Sequence, residues 1–347
     1  MKDNDDYTYP TTDDNTFQSK IFKKREFHYH KIPKRDKLVN YDEIKKYRDS
    51  ICKGEFSLRD FQIFLTNFLS PETPYKGLLI MHGTGTGKTC TAISIAEQFK
   101  DQAKKYNTKI FILTFGPNNR ETFKSELLLC TGETYLKNKE LLNQMTKSER
   151  ELENKIASYG SLQFYKILSY KTFYRKVLGE KIAEKKLVGD NKIKTSYRKN
   201  ESGEFEREIV IDKINNMDNS IIIVDEAHNL TGNEYGEALK KIIKQSKNLR
   251  VVLLTATPMK NKGDDIIDIL NFIRPQDDPI KREKVFTNEK NFLMSFKEGG
   301  IDYLKNKASG YISFFRGNMP YTFAKRIDKG TTPEEIIFTP LVRCFME

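Results

Sequence analysis

What the chain lacks narrows it first. No apolar run in the 347 residues comes near the ~20 that a membrane-spanning helix needs. The opening residues, Met1-Lys-Asp-Asn-Asp-Asp, hold none of the apolar core of a secretory signal. Cysteine is scarce: Cys52, Cys90, Cys130 and Cys344 lie far apart and without metal-ligand spacing. They read as reduced thiols of an intracellular protein. Histidine is scarcer in function than in number, since His28-Tyr29-His30 sits in a basic stretch and carries no metal expectation. Acidic charge is in deficit, 48 Asp and Glu against 60 Lys and Arg, leaving +12. That balance suits a polyanionic partner and also suits plain solubility, so charge alone decides nothing. Apolar residues at 37%, with 23 Phe and 17 Tyr, can build a substantial core in one large domain or two ordinary ones.

What is present is organised around residues 77–91, Gly-Leu-Leu-Ile-Met-His-Gly-Thr-Gly-Thr-Gly-Lys-Thr-Cys-Thr. A short apolar run, Leu78 to Met81, has the length of a buried strand. The loop Gly83-Thr84-Gly85-Thr86-Gly87 follows, then Lys88, Thr89 and a helical apolar pattern. Glycines let successive backbone N–H groups turn inward, and a helix N-terminus adds its positive dipole end. The order predicts a phosphate cradle for a nucleoside triphosphate. Lys88 would reach the β- and γ-phosphates and the Thr89 hydroxyl would sit on Mg²⁺. His82 stands where the strict pattern has its first glycine.

The second signal is Ser220-Ile-Ile-Ile-Val-Asp-Glu-Ala-His228, a β-branched strand that delivers two carboxylates at its C-terminal tip. Asp225 would hold the Mg²⁺ through its water shell, opposite Thr89. Glu226 would orient and polarise the attacking water, and His228 would pass the state of the γ-phosphate to neighbouring loops. A third strand, Arg250 to Leu254, ends in Thr255-Ala-Thr257, with hydroxyls within reach of the acidic tip. Cradle and carboxylates together predict hydrolysis as well as binding.

Around these motifs the chain divides as follows. Residues 1–40 read as a disordered, basic N-terminal arm, acidic to about residue 20 and basic from Lys20 to Lys46. The basic stretch would either follow a phosphate backbone or serve as a solvated linker. Residues 41–280 read as the ATP-binding lobe, with a polar insertion at about 181–216, and 281–347 as a C-terminal extension. Leu58 to Leu69 has helical spacing, and Gln62, 26 residues before Lys88, offers an amide for an adenine edge or lies on a helix surface. After the strand 109–114, the loop carrying Pro117, Asn118, Asn119 and Arg120 is a candidate nucleic-acid contact or an ordinary strand-to-helix turn.

With Gly83–Thr89, Asp225–His228 and Thr255–Thr257 in this order, the chain resembles the superfamily 2 helicases and DNA translocases, motors with two RecA-like lobes. Those segments stand at the places of motifs I, II and III, with Thr255 and Thr257 in the coupling position. Gln62 falls where that superfamily reads adenine, the 116–120 loop where motif Ia grips a strand, and 167–173 at a loose motif Ib. Phe68-Leu-Ser-Pro-Glu-Thr-Pro-Tyr75 and the stretch 310–323, with Arg316, Tyr321 and Phe323, look like the helicase-like ATPases of large nucleocytoplasmic DNA viruses. That group includes the poxvirus early transcription factor small subunit and nucleoside triphosphate phosphohydrolase I. The resemblance implies an α/β RecA-like lobe with a mostly parallel sheet, ATP and Mg²⁺ as cofactors, and DNA-dependent hydrolysis in viral transcription or DNA remodelling. It implies double-stranded DNA, RNA polymerase or transcription-factor subunits as partners, no membrane, and, for a viral protein, the virion and host cytoplasm as location. Only 24 residues follow Phe323, and Glu335 to Phe345 looks like the strand leading into a second lobe, expected in cis or in trans. Two rivals stay open: an ATP-binding docking platform without motor activity, and a packaging or protein-remodelling ATPase.

Overall fold

The computed structural model describes residues 8–31, 40–51, 57–131, 135, 145–161, 163–187, 193–199, 207–208, 212–259, 262–287, 295–315, 326–328 and 344–346. Six strands form its centre: β1 (Gly77–His82), β2 (Ile110–Thr114), β3 (Tyr165–Ser169), β4 (Ile221–Val224), β5 (Arg250–Thr255) and β6 (Ile312–Phe315). They lie side by side in the order β6-β1-β5-β4-β2-β3. Every neighbouring pair is parallel. A parallel sheet covered on both faces needs strands that are apolar at every position, not alternately. That is why β2, β4 and β5 are buried from end to end.

The side chains still divide with the period of two that a strand imposes. Leu79, Leu113, Ile222, Val224, Val251 and Leu253 face one core, shared with the helices Tyr170–Leu178, Glu234–Gln245 and Asp265–Asn271. Leu78, Ile80, Ile112, Ile223, Val252 and Leu254 face the other, shared with Asp60–Phe68, Lys88–Glu97 and Pro117–Cys130. The result is a three-layer α/β sandwich whose functional loops all leave the same edge, the C-terminal ends of the strands.

The N-terminal stretch departs from expectation. Phe17–Lys23 and Arg25–His28 are helical, and Phe17, Ile21 and Phe27 are buried in the second core. Tyr75 Oη donates to Pro10 O at 2.9 Å, and Asn67 Nδ2 donates to Glu26 O at 3.1 Å. Phe68 stacks on Tyr75 with centroids 4.4 Å apart, and Phe17 meets both rings edge-on. Burying one such ring contributes about 1.5–3 kcal/mol, enough in sum to order a short charged segment. Disorder to about residue 20 is therefore corrected for the described part of this arm. Residues 32–39, in the middle of the basic stretch, lie outside the described residues, as does most of 316–347 with Arg316, Tyr321, Phe323 and most of the expected second-lobe strand.

The thiol reading is corrected too. Cys90 and Cys130 are joined in a disulfide, their Cα atoms 5.2 Å apart. A separation of 40 residues hid the pair. The helices Lys88–Glu97 and Pro117–Cys130 pack side by side, and that packing brings the two sulfurs together. The polar insertion stands off the central sheet as two antiparallel pairs, Glu180–Lys181 with Arg207–Glu208 and Ala183–Leu187 with Ile193–Tyr197. Among the described residues no helix is long and apolar enough to cross a membrane.

Candidate active site

The tip of β1 runs into the glycine loop and then into the helix Lys88–Glu97. Gly85 and Gly87 have φ of 73° and 80°, in the left-handed region that favours glycine. A Cβ on Gly87 would also come within 2.9 Å of Gln62 Nε2, so a side chain there would displace the Gln62 amide as well as strain the backbone. Thr86 Oγ1 donates to Gly83 O at 2.8 Å and Lys88 Nζ to the same oxygen at 3.1 Å, folding the loop back over itself. No side chain caps the helix at Gly87, so its first-turn N–H groups are left to an anion. Thr89 sits half-buried in that first turn.

Gln62 reaches the cradle, but with its amide turned inward. It is 4% exposed. Its Oε1 accepts from Arg59 N at 2.9 Å, while Nε2 donates to Gly87 O at 3.1 Å and Thr91 Oγ1 at 3.3 Å. In this structure Gln62 braces the loop. His82 explains its own departure from the glycine pattern, because it is the last residue of β1 and belongs to the sheet. Its Nε2 lies 2.9 Å from Ser313 Oγ on β6, and its ring is met edge-on by Phe61 and Phe315. Burial first, and the Lys88 charge second, push its pKa down to about 4, so it is neutral beside the cradle.

Two strands from β1, the tip of β4 presents Asp225 and Glu226, with β5 between them. Asp225 N donates to Leu113 O at 2.9 Å, continuing the ladder with β2 one residue past the strand. Glu226 has φ of 55°, a left-handed conformation held for a non-glycine residue. Tyr170 Oη donates to Asp225 O at 2.6 Å from below this turn. His228 Nδ1 lies 3.0 Å from Thr255 Oγ1 and 3.3 Å from Glu226 Oε2, and Asn229 Nδ2 lies 3.2 Å from His228 Nε2. Thr255 Oγ1 donates to Thr257 O at 2.8 Å and accepts from Thr257 N at 3.1 Å. The network therefore puts the imidazole proton on Nδ1 and joins the tips of β4 and β5 through one ring. The candidate coupling residues Thr255 and Thr257 are brought to His228.

Burial and the neighbouring Glu226 raise the Asp225 carboxyl to about 6, with Lys88 pulling the other way. A half-buried carboxylate short of countercharge at the tip of β4, with the hydroxyl of Thr89 in the first turn after the glycine loop, offers hard oxygen donors. Hard oxygen donors of this kind fit a divalent cation. At the tip of β2, Pro117–Arg120 forms the first turn of the helix Pro117–Cys130, with Gly116 at its N-cap. Asn119 and Arg120 are exposed, Arg120 Nε lying 3.5 Å from Glu121 Oε1. The side chains of Pro117 and Asn118 lie outside the described residues.

The family model described as type III restriction enzyme, res subunit, matches residues 55–260. The chain belongs to that family. It is a helicase-type domain of superfamily 2, built on a parallel six-stranded sheet flanked by helices. A candidate ATP-dependent RNA helicase of Acanthamoeba polyphaga mimivirus is 49% identical over 349 residues, covering 100% of this chain and 30% of that protein. A second such mimivirus protein is 30% identical, covering 92% of this chain and 49% of its own length. The early transcription factor 70 kDa subunit of Melanoplus sanguinipes entomopoxvirus is 37% identical over 108 residues, 31% of this chain and 16% of that protein. The chain thus spans less than half the length of the two mimivirus relatives.

In this helicase-type domain, the elevated Asp225 pKa makes a stability prediction. The ordinary value is 3.8 and the folded value about 6, so the folded protein holds the proton more tightly. The stabilisation is full below pH ~3.8 and is lost as pH rises through ~6. Above that, the ionised carboxylate costs on the order of 2–3 kcal/mol. Asp225→Asn, without nucleotide or metal, should therefore unfold later than the wild type at pH 7–8. The gain should vanish near pH 4, as read by denaturant unfolding across that range. Asn229, one residue past the Asp225–His228 motif, and Tyr170, inside the loose 167–173 stretch, hold this turn, and no motif gives either of them that role. An aromatic after an apolar run reads equally well as core, and the contact exists only because β3 ends two strands away from β4.

Proposed function

We propose that this domain is the first motor lobe of a DNA-dependent ATPase of a large DNA virus. The observation that carries the reading is the convergence of three neighbouring strand tips. β1 brings the cradle, β4 the Asp225–Glu226 turn, and β5 the Thr255–Thr257 turn tied to it through His228. In this reading Gly83 to Gly87, with Thr84 and Thr86, cradle the phosphates of ATP, and Lys88 binds the β- and γ-phosphates. Thr89 and Asp225 hold Mg²⁺, partly through water, Glu226 orients the attacking water, and His228 with Thr255 and Thr257 relays the site's state. Adenine recognition by Gln62 requires its amide to exchange a bond it now makes to the loop or to Arg59 N.

Asn119 and Arg120, at an exposed helix start beside the same edge, support a phosphate-backbone contact there, in line with Pro117 and Asn118. Hydrolysis at full rate calls for an arginine from a second RecA-like lobe, in the same polypeptide or another, to stabilise transition-state charge. The names of the relatives, helicases and early transcription factor subunits, support a nucleic-acid substrate and transcription-factor subunits as partners, and the proposal extends these to RNA polymerase. Double-stranded DNA and the virion and host cytoplasm complete the proposal. The deciding test is steady-state ATPase activity of this chain and of a longer polypeptide carrying it, each with and without double-stranded DNA. DNA stimulation in the longer form alone is the expected result. Turnover indifferent to DNA in both would point to a protein-remodelling or packaging ATPase. Very slow turnover unchanged by added partner chains would point to a docking platform.

A further inference from the structure

Against the Asp225–Glu226 turn lies a side chain of the 167–173 stretch to which the motifs give no role in hydrolysis. Tyr170 begins the helix Tyr170–Leu178, with Ser169 as its cap, and is 2% exposed. Its phenol donates to Asp225 O at 2.6 Å and lies 3.3 Å from Glu226 O. The same Glu226 carbonyl accepts from Asn229 N at 3.0 Å and Asn229 Nδ2 at 3.1 Å. Both carbonyls of the turn are thus held by hydrogen bonds. Glu226 needs such support, because its φ of 55° is disfavoured for any residue with a Cβ.

The ring of Tyr170 is itself placed by two neighbours. Phe115, at the end of β2 and just before the Pro117–Arg120 turn, meets it edge-on at 5.9 Å. Tyr235 stacks on it at 5.6 Å with the planes 25° apart. Tyr174 meets Tyr235 edge-on at 6.0 Å, and the Arg207 guanidinium sits 5.5 Å over Tyr174 and donates to its hydroxyl at 3.3 Å. Arg207 also pairs with Glu234, which Lys181 engages at 3.0 Å. The polar insertion is therefore anchored on the same aromatic stack that ends at the turn.

We infer that Tyr170 is a positioning residue for hydrolysis, fixing the Asp225–Glu226 turn. Phe115 on one side and the Arg207–Tyr174–Tyr235 stack on the other fix Tyr170. The inference rests on the ATPase reading above. It gives the insertion a task, holding the ring, and gives the β2 loop a direct mechanical path to the hydrolytic turn.

Tyr170→Phe keeps the ring and removes only the hydroxyl. Its kcat for ATP should fall about tenfold, the loss expected for one buried hydrogen bond that matters only at the chemical step, with KM and nucleotide affinity unchanged within about twofold. Amide hydrogen exchange from Asp225 to Leu230 should be faster by at least about tenfold in the protein alone. Arg207→Ala, at the far end of the stack, should lower kcat by about two- to threefold, again without moving KM. Unchanged kcat in Tyr170→Phe, or an equal loss of affinity, overturns the inference. If the wild type shows no turnover that Lys88→Ala removes, the ATPase reading fails first, and hydrogen exchange then decides. Unchanged exchange in Tyr170→Phe shows that the hydroxyl does not hold the turn, and faster exchange keeps Tyr170 as its support.

Discussion

Lys88→Ala should lower nucleotide affinity by about a hundredfold or more and leave the fold in place. The ammonium of Lys88 spends its bond on Gly83 O at 3.1 Å, an exchangeable contact with the loop it would close over phosphate. A charged hydrogen bond is worth about 1.5–3 kcal/mol, and two phosphates engaged by one ammonium bring the loss to about 3–4 kcal/mol, or 10²–10³ in affinity. The sheet does not depend on this side chain, since the strands on either side are buried by their own apolar residues. Lys88 does lower the Asp225 carboxyl, so its removal should also push that group further up. Binding of a fluorescent ATP analogue, followed from pH 6 to 8 beside thermal unfolding, checks both effects. Affinity that survives the substitution would remove the cradle assignment.

Why the cradle could be read in advance, and its supports could not, follows from the kind of information each carries. A strand buried on both faces writes itself as a continuous apolar run, as in Ile221–Val224 and Arg250–Thr255. A loop needing left-handed φ writes itself in glycine, as at Gly85 and Gly87. These are local demands. The aromatic N-terminal segment was missed because Phe17, Ile21 and Phe27 are scattered among charges and find their partners only at Phe68 and Tyr75. Cys90 and Cys130 met through helix packing, and Ile312–Phe315 became the sixth strand only by pairing with β1. Gln62 lies beside the loop, yet the direction of its amide depends on Arg59 N and Gly87 O, which no spacing rule contains. His82 reads as a lapse in the glycine pattern until Ser313 and the two phenylalanines show it to be a sheet residue.

Glu226→Gln should keep ATP bound and stop its hydrolysis. The side chain sits on the left-handed residue at the tip of β4, 37% exposed, so it is presented outward and not buried in the core. Glutamine has the same shape and fits the same 3.3 Å approach to His228 Nδ1, whose hydrogen bond is with Thr255 Oγ1, so the turn and that link should persist. What it cannot do is accept a proton from water or polarise one with a negative charge. Loss of a positioned general base costs typically 10²–10⁴ in rate. Single-turnover hydrolysis should fall by that factor while ATP affinity changes less than about threefold. Asp225→Asn should differ, because the adjacent carboxylate is proposed to hold the cation, and its loss should weaken binding of the metal–nucleotide pair as well as turnover. A matching pair of phenotypes would mean that the two carboxylates act as one unit. Normal turnover in Glu226→Gln would hand the water to another group and leave Glu226 as a strained turn residue whose charge serves His228 alone.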